Sequence, residues 1–282
     1  MNKIALRINT QKDEDLSLSR KVIALLKSFC EKVYIEETYA ASFSEDVDTY
    51  TENEMPKDAE LLLVLGGDGT MLHAAQLALE NDLPMLGINM GRVGYLASLE
   101  CEELALLENL KTDTFIEKKH MMLAIEKLTP SGSELLGYAL NDVIVDGRGH
   151  LADIRLYDGE SYIDYRADGL IAATPTGSTA YSFSAGGPVV DEELSAICVT
   201  PVCPRSFFAR SLLFVPESVL RIENTGARNG ELDVAIDGYK HFPLASREMI
   251  SIRRAPKCVR ILSLKERHLL KVLCTKMGAR YF

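Results

Sequence analysis

The chain has 282 residues, with 41 acidic and 31 basic side chains, so its formal net charge is −10. Hydrophobic residues make up 47% and charged residues 26%, which is ordinary globular usage and excludes a collagen, a coiled coil or a disordered chain. The acidic balance disfavours binding to nucleic acid or to a membrane surface, and no apolar run approaches the roughly 20 residues of a spanning helix.

Strand and helix patterns alternate over the first third of the chain. Short apolar runs predict strands at residues 3–8, 33–36, 61–65 and 85–89. Apolar residues at helical spacing predict helices at 16–29 and 71–80, whereas the polar, acidic residues 40–58 predict an irregular connection. Such alternation indicates an α/β domain with a parallel, Rossmann-like sheet and right-handed crossovers.

The pattern changes after about residue 115, where short β-type stretches are separated by turns. These stretches cover residues 122–128, 136–145, 152–167, 170–174, 212–216, 218–223, 231–244 and 249–254. The pairs Asp158-Gly159 and Asp237-Gly238 each lie between two alternating runs and predict type I′ hairpin turns. This part of the chain is therefore expected to form layered β-sheets.

These patterns together predict two domains. The α/β domain is expected at residues 1–117, and the tail 256–282, with the pattern of a strand followed by a helix, is expected to complete it. The β-rich domain is expected at residues 118–255. No Pro-rich or Gly-rich linker separates the two parts.

The N-terminus and the cysteines predict a cytoplasmic protein. The first 17 residues contain one short apolar stretch and then turn polar and acidic, unlike a signal peptide. The six cysteines form no C-x-x-C pair and match no zinc pattern, so we expect reduced thiols. A redox role for Cys198 and Cys203 is the alternative.

The sharpest motif is the segment 66–70, GGDGT, which joins a predicted strand to a predicted helix. Glycines in such a turn permit positive φ and a close ligand, and Thr70 is the expected N-cap of the helix. Asp68 falls at the carboxyl end of a parallel strand, where α/β sheets bind ligands, and the helix start offers a phosphate site. A tight turn with Asp68 in an Asx-turn is the structural alternative. The expected phosphate turn consists of Gly66, Gly67, Gly69 and Thr70.

A second segment, residues 168–188, combines small residues, hydroxyls and glycines with almost no charge. If this segment were a solvated linker, the aromatic side chains of Tyr181 and Phe183 would be unexpected. A binding wall suits them, because small side chains admit a flat ring and hydroxyls bond sugars and phosphates. Arg166 precedes this segment and offers a planar fork to a phosphate, with a surface salt bridge as the alternative.

Three further side chains are candidates for ligand binding. Asn141 and Asp142 follow a β-type stretch, and their amide and carboxylate groups suit a ribose diol, with ordinary turn chemistry as the alternative. His73 lies on the predicted helix near the phosphate turn, with a structural role as the alternative. The chain has no P-loop, no G-x-G-x-x-G after a strand, no G-x-S-x-G and no metal-ligand spacing of histidines.

Taken in order, these motifs resemble those of the NAD kinase family. The resemblance rests on GGDGT at 66–70, the pair Asn141-Asp142, the R-x-D-G-L stretch at 166–170 and the T-P-T-G-S-T-A-Y-S-x-S-A-G-G-P motif at 174–188. The last motif is the most specific of the four. The first is shared with phosphofructokinases and with diacylglycerol and sphingosine kinases.

The resemblance implies a specific reaction and a set of site residues. It implies an active site between an α/β domain and a domain of layered β-sheets. The reaction is transfer of the γ-phosphoryl group of ATP, or of polyphosphate in some members, to the adenosine-ribose 2′-hydroxyl of NAD, which gives NADP. Asp68 is the implied general base. The implied NAD-binding residues are Asp68, Gly69, His73, Asn141, Asp142, Arg166, Asp168, Thr179, Ala180, Tyr181, Ser182, Ser184 and Asp237.

Charge around the phosphate turn predicts a divalent cofactor. The sequence places one carboxylate and little positive charge there, so Mg²⁺ carried in with ATP is expected to neutralise the phosphates, without a metal site made of protein ligands. The resemblance also implies a homodimer or homotetramer. Two alternatives stay open: a diacylglycerol-type lipid kinase with the same turn, and a non-catalytic dinucleotide sensor.

Overall fold

The computed structural model describes residues 1–43, 47–51, 54–91, 94–207, 209–226 and 230–274. The chain forms two compact units: one comprises Met1–Lys119 with Val259–Phe282, and the other comprises His120–Cys258. Among the described residues, no helix has the length and apolar character needed to cross a membrane. All six cysteines are free.

Strands predominate in the described part of the chain. In chain order they are β1 (Lys3–Ile8), β2 (Lys32–Glu36), β3 (Asp48–Tyr50), β4 (Leu61–Gly66), β5 (Met85–Asn89), β6 (Leu99–Glu100), β7 (Ile116–His120), β8 (Leu123–Thr129), β9 (Gly132–Ala139), β10 (Asp142–Asp146), β11 (Ala152–Asp158), β12 (Ser161–Ala167), β13 (Gly169–Ala173), β14 (Ile197–Val202), β15 (Leu212–Phe214), β16 (Leu220–Asn224), β17 (Leu232–Ile236), β18 (Lys240–Leu244), β19 (Met249–Arg254) and β20 (Val259–Ser263). The α-helices are α1 (Ser17–Lys27), α2 (Glu37–Ala40), α3 (Asp68–Glu80), α4 (Tyr181–Ser184) and α5 (Leu269–Leu273), and 3₁₀ helices cover Cys101–Thr112 and Thr176–Thr179.

The first unit is built on a sheet with the strand order β3-β2-β1-β4-β5-β20-β7, in which β6 also pairs with β5. Neighbouring strands from β3 to β20 run parallel, which confirms the predicted α/β class. The chain moves from β1 outward to β2 and β3, and it then places β4 and β5 on the other side of β1. The carboxyl ends of β1 and β4 therefore lie side by side where the strand order reverses, which is the usual ligand site of an open α/β sheet.

The central strands of this sheet are covered on both faces. Every residue of β4 and β5 is buried, as expected for continuous apolar runs in a parallel sheet. Helix α1 buries Val22, Ile23 and Leu26 in the same core. The sheet is thus a rigid base for the loops that follow its strands.

One local prediction in this unit was wrong, and one predicted helix is longer than expected. Residues 40–58 contain β3, which pairs in parallel with β2, and the Tyr50 hydroxyl donates to the Leu6 carbonyl at 2.7 Å. Residues 44–46 and 52–53 of this connection lie outside the described residues. The helix expected from residue 71 begins three residues earlier, at Asp68.

The second unit consists of two six-stranded antiparallel sheets. Their strand orders are β15-β14-β13-β10-β17-β18 and β12-β11-β16-β19-β8-β9. Alternate residues from both sheets meet in one apolar core, for example Val143 and Leu170 of the first sheet with Ile154 and Ile222 of the second. This packing confirms the predicted layers of β-sheet.

One β-type stretch of the sequence is divided between the two sheets. Residues 136–145 contain the end of β9 and the start of β10, which belong to different sheets. The chain crosses between them at Leu140 and Asn141. The crossing places Asn141 and Asp142 at the carboxyl end of one strand and the amino end of the next.

The two Asp-Gly hairpins differ from each other. Asp158 pairs with Ser161, and of the two residues between them only Gly159 has positive φ, at 59°. Type I′ requires positive φ at both positions, so that turn prediction was wrong. The predicted geometry occurs in the second hairpin, where Asp237 and Gly238 have φ of 48° and 71°.

Candidate active site

The GGDGT segment lies at the point where the strand order reverses. β4 ends at Gly66, Gly67 is the N-cap residue, and Asp68 is the first residue of α3. The loop after β1 starts beside it, because the Asn9 N–H donates to the Leu65 carbonyl at 2.9 Å. The first N–H groups of α3 have no acceptor within the helix, so this end of the sheet favours an anionic ligand.

Gly66 is required by space, whereas Gly67 lies against the flexible end of the Lys12 side chain. Gly67 has φ of −109°, and the described glycines with positive φ lie elsewhere in the chain, so the turn does not use the positive φ that glycine permits. A Cβ at Gly66 would lie 2.9 Å from Cγ2 of Thr70, and a Cβ at Gly67 would collide with the ammonium group of Lys12. Gly69 has no atom within 4 Å of its Cβ position, so a ligand can approach its backbone.

The carboxylate of Asp68 is held in one orientation by two backbone N–H groups. Its Oδ2 accepts a hydrogen bond from Tyr95 N–H at 2.8 Å, and its Oδ1 accepts from Leu96 N–H at 3.1 Å. These donors follow residues 91–94, of which Arg92 and Val93 lie outside the described residues. The side chain remains partly exposed. A fixed and accessible carboxylate suits a general base, whereas these contacts are not those of a local Asx-turn.

Thr70 has a different role from the predicted one. It lies inside the first turn of α3, and Gly67 occupies the N-cap position, so the prediction that Thr70 caps the helix was wrong. Its Oγ1 instead accepts a hydrogen bond from Nδ2 of Asn9 at 2.8 Å. This bond joins the loop after β1 to the phosphate turn.

A cavity of about 530 Å³ opens beside the turn. Its lining carries no carboxylate and includes Arg7, Lys12, Tyr39, Gly69, Thr70 and His73. The Lys12 ammonium corrects the expectation of little positive charge near the turn. Sequence reasoning missed Lys12 because it begins an acidic run, KDED, that is typical of a solvated surface.

In the second unit, the crossing from β9 to β10 is fixed by Asp237. The Asp237 carboxylate accepts from three consecutive backbone N–H groups, those of Leu140 at 2.8 Å, Asn141 at 2.8 Å and Asp142 at 3.1 Å. From the opposite side, the Thr174 hydroxyl donates to the Leu140 carbonyl at 2.6 Å, and the Thr174 N–H donates to the Asn141 carbonyl at 2.8 Å. The backbone of this segment is therefore held on both sides, and Asp237 acts well beyond its own turn.

Asp142 and Asp237 are two buried carboxyl groups that influence each other. Burial, and after it the charge of Asp237, raises the pKa of Asp142 to about 7. Burial also raises the pKa of Asp237 to about 6, although its three N–H donors act in the opposite direction. Since Asp237 has these donors, Asp142 is the member of the pair with the higher pKa.

The segment 174–188 folds against Asn141. A Cβ at Gly177 would lie 2.7 Å from the Asn141 Cα, so only glycine fits there. Thr179 and Ala180 are partly exposed, and Tyr181 and Ser184 are exposed, so these residues are accessible to a ligand. Ser182 is fully buried, with its hydroxyl 3.0 Å from that of Thr200.

A smaller cavity, of about 220 Å³, lies beside Asp168. Asp146 and Asp168 supply carboxylates to its lining, and Tyr181 supplies an aromatic ring. Arg166 does not line this cavity. It is exposed, and its Nε lies 3.6 Å from Oδ1 of Asp153, a contact that favours the surface salt bridge.

No group of three or more His, Cys, Asp or Glu side chains is placed to hold a metal ion within the residues that the structure describes. The carboxylate of Asp68 lies at the start of α3, beside helix N–H groups that favour an anionic ligand. Such a turn, at the switch point of a parallel sheet and with a fixed carboxylate, defines a nucleotide-dependent phosphotransferase.

Comparisons with known proteins extend this assignment. The model of the ATP-NAD kinase N-terminal domain matches residues 4–112, and that of the ATP-NAD kinase C-terminal domain matches residues 141–264. The NAD kinase of Caldanaerobacter subterraneus subsp. tengcongensis is 33% identical over 286 residues, which covers 99% of this chain and 100% of that protein. The NAD kinase of Caldicellulosiruptor bescii is 38% identical over 230 residues, or 80% of this chain and 85% of that protein. The chain belongs to the NAD kinase family.

Solved structures support the same fold. Yeast NADH kinase complexed with NADH has a TM-score of 0.86 at 23% identity, and the match covers all of this chain and 89% of that one. An NAD kinase from Archaeoglobus fulgidus in complex with ATP has a TM-score of 0.70 at 23% identity, covering 96% of this chain and 98% of that one.

Proposed function

We propose that this chain transfers the γ-phosphoryl group of ATP to the 2′-hydroxyl of the adenosine ribose of NAD and so forms NADP. The observation that supports this reaction most strongly is the carboxylate of Asp68, fixed at the start of α3 where the strand order reverses. Membership of the NAD kinase family supports the choice of NAD as acceptor. The ATP complex of the Archaeoglobus relative supports ATP as donor.

Asp68 acts as general base in this proposal. It takes the proton of the 2′-hydroxyl while that oxygen forms a bond to the γ-phosphorus and the bond from the γ-phosphorus to the β–γ bridging oxygen breaks. ADP then leaves with the bridging oxygen. The start of α3 binds the phosphates through its N–H groups, and this turn consists of Gly66, Gly67, Gly69 and Thr70. His73 contacts the dinucleotide from the same helix.

The second unit binds NAD in this proposal. Asn141 and Asp142 bind the ribose, because an amide and a carboxylate together accept and donate hydrogen bonds to a diol. Asp237 holds both residues in position through its three N–H contacts. The accessible residues that complete the pocket are Arg166, Asp168, Thr179, Ala180, Tyr181 and Ser184. The buried Ser182 hydroxyl, in contact with that of Thr200, holds the backbone of this segment in place.

A divalent ion fits the charge at the turn. Mg²⁺ keeps few protein ligands in kinase sites and is held largely by substrate phosphates, so we expect it to enter with ATP. When bound, the ion neutralises phosphate charge during transfer. We also expect a cytoplasmic homodimer or homotetramer that binds no nucleic acid, and light scattering on the purified chain measures the number of subunits.

Product analysis tests the proposed reaction. The purified chain is incubated with NAD, ATP and MgCl₂, and NADP is measured with an NADP-specific dehydrogenase. We expect NADP to form in proportion to enzyme and time. Phosphorylation of diacylglycerol instead of NAD would establish the lipid-kinase alternative, and NAD binding without turnover would establish the sensor. Parallel reactions with NADH and with polyphosphate define acceptor and donor range.

Affinity for NAD is expected to rise with pH through the titration of Asp142. Burial raises the pKa of this carboxyl to about 7, so only a minor fraction is ionised at pH 6 and most is ionised at pH 8. The ionised form is the better acceptor of ribose hydroxyls, and NAD binding should therefore tighten by up to about tenfold from pH 6 to pH 8. Calorimetric titration of NAD into the chain at both values measures this change.

The Asp142→Asn variant is the control for this pH dependence. Its side chain does not titrate, so its affinity for NAD should differ little between pH 6 and pH 8. A pH dependence as large in the variant as in the unmodified chain would remove Asp142 as its source.

A further inference from the structure

We propose that Lys12 binds the triphosphate of the phosphoryl donor at the phosphate turn, and that Asn9 positions it there. This inference rests on the proposed function. It adds a residue outside the GGDGT motif that binds the phosphoryl donor. It is carried by the position of Lys12, by the loop that holds it, and by the charges around the two cavities that it lines.

Lys12 lies directly on the phosphate turn. Its ammonium group occupies the space where a side chain at Gly67 would begin, and its Cε is 3.7 Å from that Cβ position. Gly67 has an extended backbone that any residue adopts, with φ of −109° and ψ of −169°. The glycine at this position therefore makes room for the Lys12 ammonium next to the start of α3.

The loop after β1 holds Lys12 in place through Asn9. The carbonyl of Asn9 accepts a hydrogen bond from Lys12 N–H at 3.0 Å. The side chain of Asn9 donates to Thr70 Oγ1 at 2.8 Å, and its N–H donates to the Leu65 carbonyl at 2.9 Å. One residue thus connects the Lys12 backbone to the strand before the turn and to the helix after it.

Lys12 forms no ion pair within the part of the chain that the structure describes. Its neighbour Asp13 is buried, and both of its carboxylate oxygens accept hydrogen bonds at the start of α1. The donors are Leu18 N–H at 3.1 Å and Ser19 N–H at 2.8 Å. By contrast, Arg7 in the same cavity is paired with Glu36 at 2.9 Å. Lys12 is therefore the cation that remains available to a ligand of opposite charge.

Charges indicate which of the two cavities receives the phosphates. One cavity, of about 510 Å³, is lined by Lys12 and Lys21 together with four acidic residues, Asp13, Asp15, Glu100 and Glu102. The other, of about 530 Å³, contains Lys12, Gly69 and Thr70 and has no acidic residue in its lining. A triphosphate is repelled by the first cavity and attracted by the second, which also contains the start of α3.

A lysine in this position suits phosphoryl transfer. An ammonium group binds phosphate oxygens as a point charge, and in other kinases such a group stabilises the charge of the transferred phosphoryl. Charge-assisted hydrogen bonds of this kind change affinity by about 10- to 100-fold. Loss of the Lys12 ammonium should therefore weaken binding of the phosphoryl donor and leave NAD binding unchanged.

Three variants test the proposal: Lys12→Ala, Lys12→Arg and, as matched control, Lys21→Ala. We expect Lys12→Ala to weaken binding of ATP, and of inorganic triphosphate, by about 10- to 100-fold. Lys12→Arg, which keeps the charge, should recover part of this loss, and Lys21→Ala should bind ATP normally. The Kd of NAD should be unchanged in all three variants, since neither Lys12 nor Lys21 is among the residues proposed to bind NAD.

Calorimetry with ATP alone needs no turnover, so this test is independent of whether NADP forms. Loss of ATP binding together with normal binding of inorganic triphosphate would show that Lys12 contacts the nucleoside, which overturns the proposal. Unchanged ATP binding in Lys12→Ala, or an equal loss in Lys21→Ala, would overturn it too. If the unmodified chain binds ATP through Lys12 but forms no NADP, the proposed function fails, whereas the assignment of Lys12 as a residue that binds the triphosphate stands.

Discussion

The Asp68→Asn variant is expected to form NADP at least about 100-fold more slowly than the unmodified chain while it still binds NAD. The amide oxygen of asparagine can still accept from Tyr95 or Leu96, so the local backbone should persist. The amide does not take up the proton of the ribose hydroxyl. Turnover at saturating NAD and ATP, together with the calorimetric Kd of NAD, separates loss of the base from loss of binding.

The other end of the same helix offers a matched control. Asp82 follows α3, is exposed and has φ of 52°, a conformation that asparagine also adopts readily. Asp82→Asn should therefore leave turnover unchanged. Turnover of Asp68→Asn within about threefold of the unmodified chain would exclude Asp68 as general base.

The Asp237→Ala variant is expected to lose both stability and NAD binding. The substitution removes the acceptor of three consecutive N–H groups, of which those of Leu140 and Asp142 are buried and that of Asn141 is partly buried. Each unsatisfied buried donor costs about 1–3 kcal/mol, and relief of the repulsion with Asp142 offsets part of the sum. We expect the free energy of unfolding to fall by about 2–4 kcal/mol, as measured by urea denaturation.

Two further variants separate the side-chain contacts of Asp237 from its role in the turn. Asp237→Asn keeps one acceptor oxygen and tolerates the positive φ, so its loss of stability and of NAD affinity should be intermediate. Asp158→Ala changes the aspartate of the other Asp-Gly hairpin, which is exposed, and should alter stability by less than about 0.5 kcal/mol. Equal losses in Asp237→Ala and Asp158→Ala would show that the contacts with the crossing contribute nothing.

Much of the fold could be predicted from the sequence because its signals are local. The apolar run that became β4 has no polar residue, and the run that became β5 has one only at its last position, Asn89, so neither pattern marks a solvent face and both indicate a parallel sheet covered on both sides. The three-residue strand β3 has no such signal. It exists because β2 offers it an edge and because Tyr50 bonds to the Leu6 carbonyl.

The candidate site was predictable only where its residues are adjacent in sequence. The position of Asp68 between a strand and a helix follows from the GGDGT segment and its flanks. The contacts that position it do not, since Tyr95 and Leu96 are 27 and 28 residues away. The same is true of Asp237, whose partner Leu140 is 97 residues away, and of Lys12, which reaches the turn through the order of the strands.

A crystal structure of the chain with NAD bound tests the central claim most directly. The claim predicts that the 2′-oxygen of the adenosine ribose lies about 2.6–3.2 Å from a carboxylate oxygen of Asp68. It would be contradicted by a bound dinucleotide whose ribose hydroxyls are beyond reach of Asp68, directly or through one water, and whose 2′-oxygen faces another acid or base.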